Sequence, residues 1–108
     1  NKDMIYGGIE RVINDLRDKF TGLIITDEIR MLGLKNYYTD INQMYIDLFK
    51  ADNDIILNFD RDPKNLYHMI SVVKDAIKRG RISEDRIDHS VIRILNFKGI
   101  KFNIRFFY

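Results

Sequence analysis

The residues best placed to do chemistry are two adjacent carboxylates, Asp27 and Glu28, in the stretch GLIITDEIRMLGL at residues 22–34. Gly22 to Ile25 read as a short buried strand, which puts Asp27 just past its carboxyl end. In parallel α/β folds that end carries the chemistry, because the sheet holds a group still while the following loops vary. A carboxylate there can attack an electrophilic carbon or move a proton. It can equally be a solvated strand-end residue or a helix N-cap. Glu28 reads as structural, because successive strand residues point to opposite faces.

The other candidates are weaker. Asn58 closes a second apolar run, DIILNF, and would share a sheet face with Asp27. Its place in NFDRDP favours a turn-former over a ligand contact. His68 and His89 fall inside helical patterns, 21 residues apart and without metal-ligand spacing, so both read as partly exposed helix residues. Tyr37 and Tyr38 follow Asp27 on a loop-like segment, where a tyrosine pair can flank a sugar or pack down. There is no GxGxxG, GxxxxGK(S/T) or GxSxG. No cofactor and no metal are expected.

The positioning elements follow from periodicity and caps. Ile9, Val12, Ile13 and Leu16 predict an amphipathic helix over about 9–19, led in by a flexible Gly7-Gly8. A strand at GLIIT and a loop over 31–39 follow. Thr39 or Asp40 caps a helix carrying Ile41, Met44, Tyr45 and Leu48. The second strand, over 54–59, leads to Asp62 as cap and Pro63 in the first turn of a helix that Gly80 stops. Ser83 starts the last helix, which Gly99 ends. Short apolar strands alternating with helices argue for βαβ units and an α/β parallel sheet. Both strands look apolar throughout, as strands covered on both faces do. Two strands are too few for such a sheet, so the chain reads as part of a larger fold. The tail KFNIRFFY alternates Phe102, Ile104 and Phe106 with polar residues and is able to add a third strand.

The totals set the limits. At 108 residues there is at most one domain, and a hydrophobic share of 45% with 31% charged residues describes an ordinary globular chain. Eighteen Lys and Arg stand against sixteen Asp and Glu, interspersed, so there is no basic footprint for nucleic acid. The absence of Cys excludes disulfides and thiol chemistry. No run is long and apolar enough for a membrane span. The chain starts at NKDMI without an initiator methionine, which reads as a processed, excised or truncated end. Its compartment stays open between cytoplasm and export.

Four motifs in order resemble family 3 glycoside hydrolases, in their β-N-acetylhexosaminidase branch. GLIITDEIRMLGL is similar to the nucleophile segment, matching at Gly22, Thr26, Asp27, Met31 and Gly33, with Ile29 in place of Leu. RVINDLRDKFTG resembles the helix before it. DLFKADNDIILNF resembles the following strand, with Asp52 where the family usually has glycine. VKDAIKRGRISEDRIDHSVIRILNFKG resembles the closing helices. The resemblance implies a partial (β/α)8 (TIM) barrel, namely its last two strand–helix units and closing helix. The barrel segment would cover 9–99 of a single partial domain spanning 1–108, with 100–108 as the tail.

The same resemblance implies that Asp27 is the nucleophile of a retaining mechanism, forming a covalent glycosyl-enzyme that water hydrolyses. Met31 would help wall the sugar pocket. The substrate would carry a terminal β-linked N-acetylglucosamine, as in bacterial cell-wall turnover. The family's K-H-F/I-P-G sugar-binding motif is absent, as is the loop that supplies a His and Asp pair as general acid/base. The isolated chain is therefore expected to be inactive. Its expected partners are the remaining barrel portion or a second copy, since a quarter-barrel leaves strand edges unpaired. The competing reading is a non-catalytic α/β interaction or assembly module.

Overall fold

Among the described residues, six elements make up the computed structural model: α1 (Lys2–Arg17), β1 (Ile25–Glu28), α2 (Ile41–Lys50), β2 (Ile55–Leu57), α3 (Pro63–Lys78) and α4 (Glu84–Phe97). The structure describes residues 2–29 and 36–101, with side chains from residue 7 onward. Met31 and Gly33, and the alternating part of the tail from Phe102, lie outside the described residues.

The helix starts and stops follow local chemistry. Asp40, Asp62 and Ser83 are the N-caps of α2, α3 and α4, each accepting from a backbone amide of the first turn. Pro63 occupies the first turn of α3, where its missing N–H costs nothing. Gly80 and Gly99 follow α3 and α4 with φ of +73° and +86°, left-handed turns that stop a helix without a Cβ clash. The first helix begins earlier than its apolar stripe suggests and ends sooner. Gly7 and Gly8 lie inside α1 and not in a flexible lead-in. Propagating a helix already nucleated downstream offsets their low propensity.

The two strands pair in parallel, Ile25 opposite Ile55 and Glu28 opposite Leu57. With α2 crossing between them they form the βαβ unit expected from the alternation. The first strand corrects the reading of Gly22 to Ile25 as a buried strand. It lies three residues further along and takes in Thr26, Asp27 and Glu28, with an exposed-then-intermediate alternation. The cause is polar anchoring. The carboxylate of Asp54 takes the Ile24 N–H, and the Ile24 carbonyl accepts from the Asp54 and Ile55 amides, so the ladder begins there. Neither strand is covered on both faces: β2 is half-buried and Ile25 is 50% exposed.

The core lies where α2 meets the sheet and the two following helices. Ile29, Met44, Tyr45 and Leu48 form one buried cluster, against which Ile56 of β2 and Met69 of α3 pack. Ile46, Ala76 and Ile82 form a second beneath α2 and α3. Val72 touches both clusters, so the two are continuous. Large apolar side chains are left exposed on several elements, among them Val12, Leu16, Phe20 and Ile25. The described part is thus an α/β unit with a two-stranded parallel sheet and four helices.

Candidate functional site

Asp27 stands in the last turn of pleat of β1, exposed, at the carboxyl end of the parallel pair. It lies inside the strand and not one residue beyond it. From Ile25 to Glu28 the first strand advances three residues while the second advances two, from Ile55 to Leu57. Thr26 and Asp27 together therefore face one residue, which is a β-bulge. Three side chains hold this turn of chain. Thr26 Oγ1 accepts the Leu57 N–H at 2.9 Å, and Asp27 Oδ1 accepts the N–H of Glu28 at 2.8 Å. Glu28 Oε1 accepts the Phe59 N–H at 3.1 Å, which gives Glu28 the structural part assigned to it.

Asn58 is a turn-former. Its Oδ1 accepts the Asp60 N–H at 3.0 Å while its amide donates to Met69 Sδ at 3.7 Å. Asp60 and Asp62 repeat the pattern, accepting from the amides of Asp62 and Lys64 at 2.9 and 3.0 Å. The stretch NFDRDP is a staircase of such bonds leading into α3. The tyrosine pair divides. Tyr38 packs against the core, with its hydroxyl donating to Asp47 Oδ2 at 2.8 Å, whereas Tyr37 is exposed.

The histidines serve the helices. His68 Nε2 donates to Asn42 Oδ1 at 2.8 Å and ties α3 to α2; His89 Nδ1 donates to the Asp85 carbonyl at 2.6 Å within α4. Among the described residues no group of three or more His, Asp or Glu is disposed to hold a metal ion, and no helix is long and apolar enough to cross a membrane. Two polar clefts open on the described surface. One of about 310 Å³ lies between α2 and α3, lined by Asp40, Gln43, Asp75 and Arg81 among others. The other, about 420 Å³, lies beside Asp52, Arg86 and Arg93. Asp27 lines neither.

At the opposite, amino ends of the strands sits a charged network that the periodicity of the sequence does not announce. The Asp54 side chain is fully buried. Its carboxylate accepts from Arg17 Nη2 and Arg93 Nη1, each at 2.7 Å, from Ser90 Oγ at 2.6 Å and from the Ile24 N–H at 3.0 Å. Burial alone would raise its pKa, but the bonds from Ser90, Arg17, Ile24 and Arg93 outweigh that and hold it below the usual carboxylate range. Asp52 lies 3.2 Å from Arg17 Nε and 3.3 Å from Arg86 Nε, the latter an ion pair outside hydrogen-bond geometry. Burial lowers the Arg86 pKa, partly offset by Asp52 and Asp54. Arg86 also donates to the Asn53 carbonyl.

This network joins α1, the approach to β2 and α4. The signal that could have found it is Arg86, Ser90 and Arg93 at helical spacing on one face of α4, paired with an acid that precedes an apolar strand. It lies at the end of the strands away from Asp27, and its ion pairs tie three separate elements together, which makes it a structural clasp.

The fold and site together define an α/β unit with an exposed acid at one end of its strands and a buried charged anchor at the other. In solved structures, the β-N-acetylglucosaminidase from Thermotoga maritima is similar over 86% of this chain, with a TM-score of 0.70 at 20% sequence identity. That likeness concerns the fold, and the chain spans about a fifth of the other's length (21%). No protein-family model and no curated protein matches the sequence.

Proposed function

We propose that this chain is a segment of a family 3 glycoside hydrolase-like (β/α)8 barrel of the β-N-acetylhexosaminidase type, in which Asp27 is the nucleophile. The observation that carries this reading is the exposed Asp27 carboxylate at the carboxyl end of a parallel strand, in a segment whose fold resembles part of a β-N-acetylglucosaminidase. Residues 9–99 would be the barrel segment, and Met31 would wall the pocket.

In the assembled barrel the Asp27 carboxylate attacks the anomeric carbon of a terminal β-linked N-acetylglucosaminide. The bond to the leaving oxygen breaks as an acid supplied from outside this chain protonates that oxygen. Water then cleaves the glycosyl ester and frees Asp27. Because the acid and the sugar cradle lie elsewhere, the isolated chain does not turn over substrate. The test is to substitute this chain for the matching stretch of the Thermotoga enzyme and assay an aryl N-acetyl-β-glucosaminide. Activity that survives the exchange and disappears with Asp27→Asn supports the reading.

A second reading has its own observation. The two-stranded sheet and the exposed Val12, Leu16, Phe20 and Ile25 fit a non-catalytic assembly module that associates through open edges. Light scattering on the isolated chain separates the two: an assembly module forms defined oligomers by itself, with the barrel complement unnecessary.

A further inference from the structure

The bulge at Thr26–Asp27 is held by a side chain. In an unslipped parallel ladder with Ile25 opposite Ile55, the Leu57 N–H points toward the main-chain carbonyl of Thr26. The extra residue in β1 disturbs that pairing, and the hydroxyl of Thr26 meets the same N–H at 2.9 Å. Beyond the slip, the Ile29 N–H rejoins the Leu57 carbonyl at 3.1 Å. Leu57 is thus gripped on both sides of Asp27, by Thr26 Oγ1 before it and by the Ile29 amide after it. Glu28 adds a third tie through the Phe59 N–H. Between these ties, Asp27 Oδ1 accepts the Glu28 N–H at 2.8 Å.

Bulges next to functional sites re-aim one side chain without moving the sheet. We infer that Thr26 is the positioning residue for Asp27: its hydroxyl locks the slipped register that sets the direction of the Asp27 carboxylate. The catalytic meaning of this role rests on the reading of Asp27 as nucleophile, but the geometry does not. A threonine suits the task for two reasons. Its β-branched side chain has few rotamers, and its hydroxyl oxygen is an acceptor one bond beyond Cβ, close to where the displaced carbonyl would have been.

The experiment is solution NMR on the full chain. In the unmodified protein, the three-bond couplings to Asp27 Cγ report one dominant χ1 rotamer and the Leu57 amide is protected from exchange. Thr26→Val keeps the shape and removes the acceptor. It raises Leu57 exchange about tenfold and averages the Asp27 couplings. Thr26→Ser restores both. Unchanged Asp27 couplings in Thr26→Val overturn the inference, as does a serine variant that behaves like valine. If the valine variant fails to fold, the unmodified chain still decides: an unprotected Leu57 amide or averaged Thr26 χ1 couplings contradict the lock. These readouts need no substrate. A failed nucleophile assignment leaves them intact, and an unchanged coupling removes the positioning role whatever the hybrid enzyme does.

Discussion

Arg17, the last residue of α1, places its Nη2 2.7 Å from Oδ2 of Asp54, whose side chain is wholly buried just before β2. One ion pair thereby joins elements 37 residues apart in sequence. Arg93 completes the clasp from α4 at the same distance. Removing one member of a buried pair typically costs about 3–5 kcal/mol. Asp52, which also pairs with Arg17 and Arg93, puts this site at the low end of that range. Asp54→Asn is expected to lose stability of that order in urea unfolding, since one amide cannot satisfy two guanidinium groups.

The same carboxylate sets an acid limit. Its folded pKa lies below its unfolded value, so the stability it contributes is fully present above the unfolded pKa of about 3.9 and is lost as pH falls through the folded value. Unfolding free energy should fall below about pH 4 in the native chain. In Asp54→Asn the fall over that window should be shallower. An equal slope in both proteins would place the acid sensitivity elsewhere.

Asp52 carries a second, separable effect. Its φ of +76° is a left-handed backbone, which glycine adopts at least cost. The carboxylate's pairing with Arg17 and Arg86 accounts for an acid there. Both Asp52→Gly and Asp52→Ala delete the ion pairs, but only alanine retains the left-handed penalty. Asp52→Ala should therefore be the less stable of the two by about 1 kcal/mol in thermal unfolding.

The caps give a local prediction. Asp62 Oδ1 accepts the Lys64 N–H at 3.0 Å and closes the staircase from Asn58 into α3. Asp62→Ala should destabilise the chain by about 1 kcal/mol, and Asp62→Asn by clearly less, since asparagine caps nearly as well.

Those caps were legible in the sequence because their chemistry is local: Asp62 and Pro63, or Ser83, act on residues two or three positions away. The parallel pair was legible as alternation of strand and helix. The register was not. A slip between Thr26 and Leu57 depends on a hydroxyl reaching across the sheet, and periodicity within one strand holds no record of it. The Arg17, Asp54 and Arg93 clasp is hidden for the same reason, since its members are far apart in sequence and look like ordinary surface charges one at a time. Asp27 stood out because it follows an apolar run. Its neighbour Glu28 reads as structural from strand alternation, and its carboxylate sits on the Phe59 amide.

The most direct measurement is covalent trapping. The hybrid of this chain with the remaining portion of the Thermotoga enzyme is incubated with a slow-turnover 5-fluoro N-acetylglucosaminyl donor and its peptides are weighed. The sugar mass is expected on the peptide carrying Asp27, fragmenting to Asp27 itself, and absent after Asp27→Asn. A label on another carboxylate, or full turnover by a folded Asp27→Asn hybrid, would contradict the assignment of Asp27 as the nucleophile.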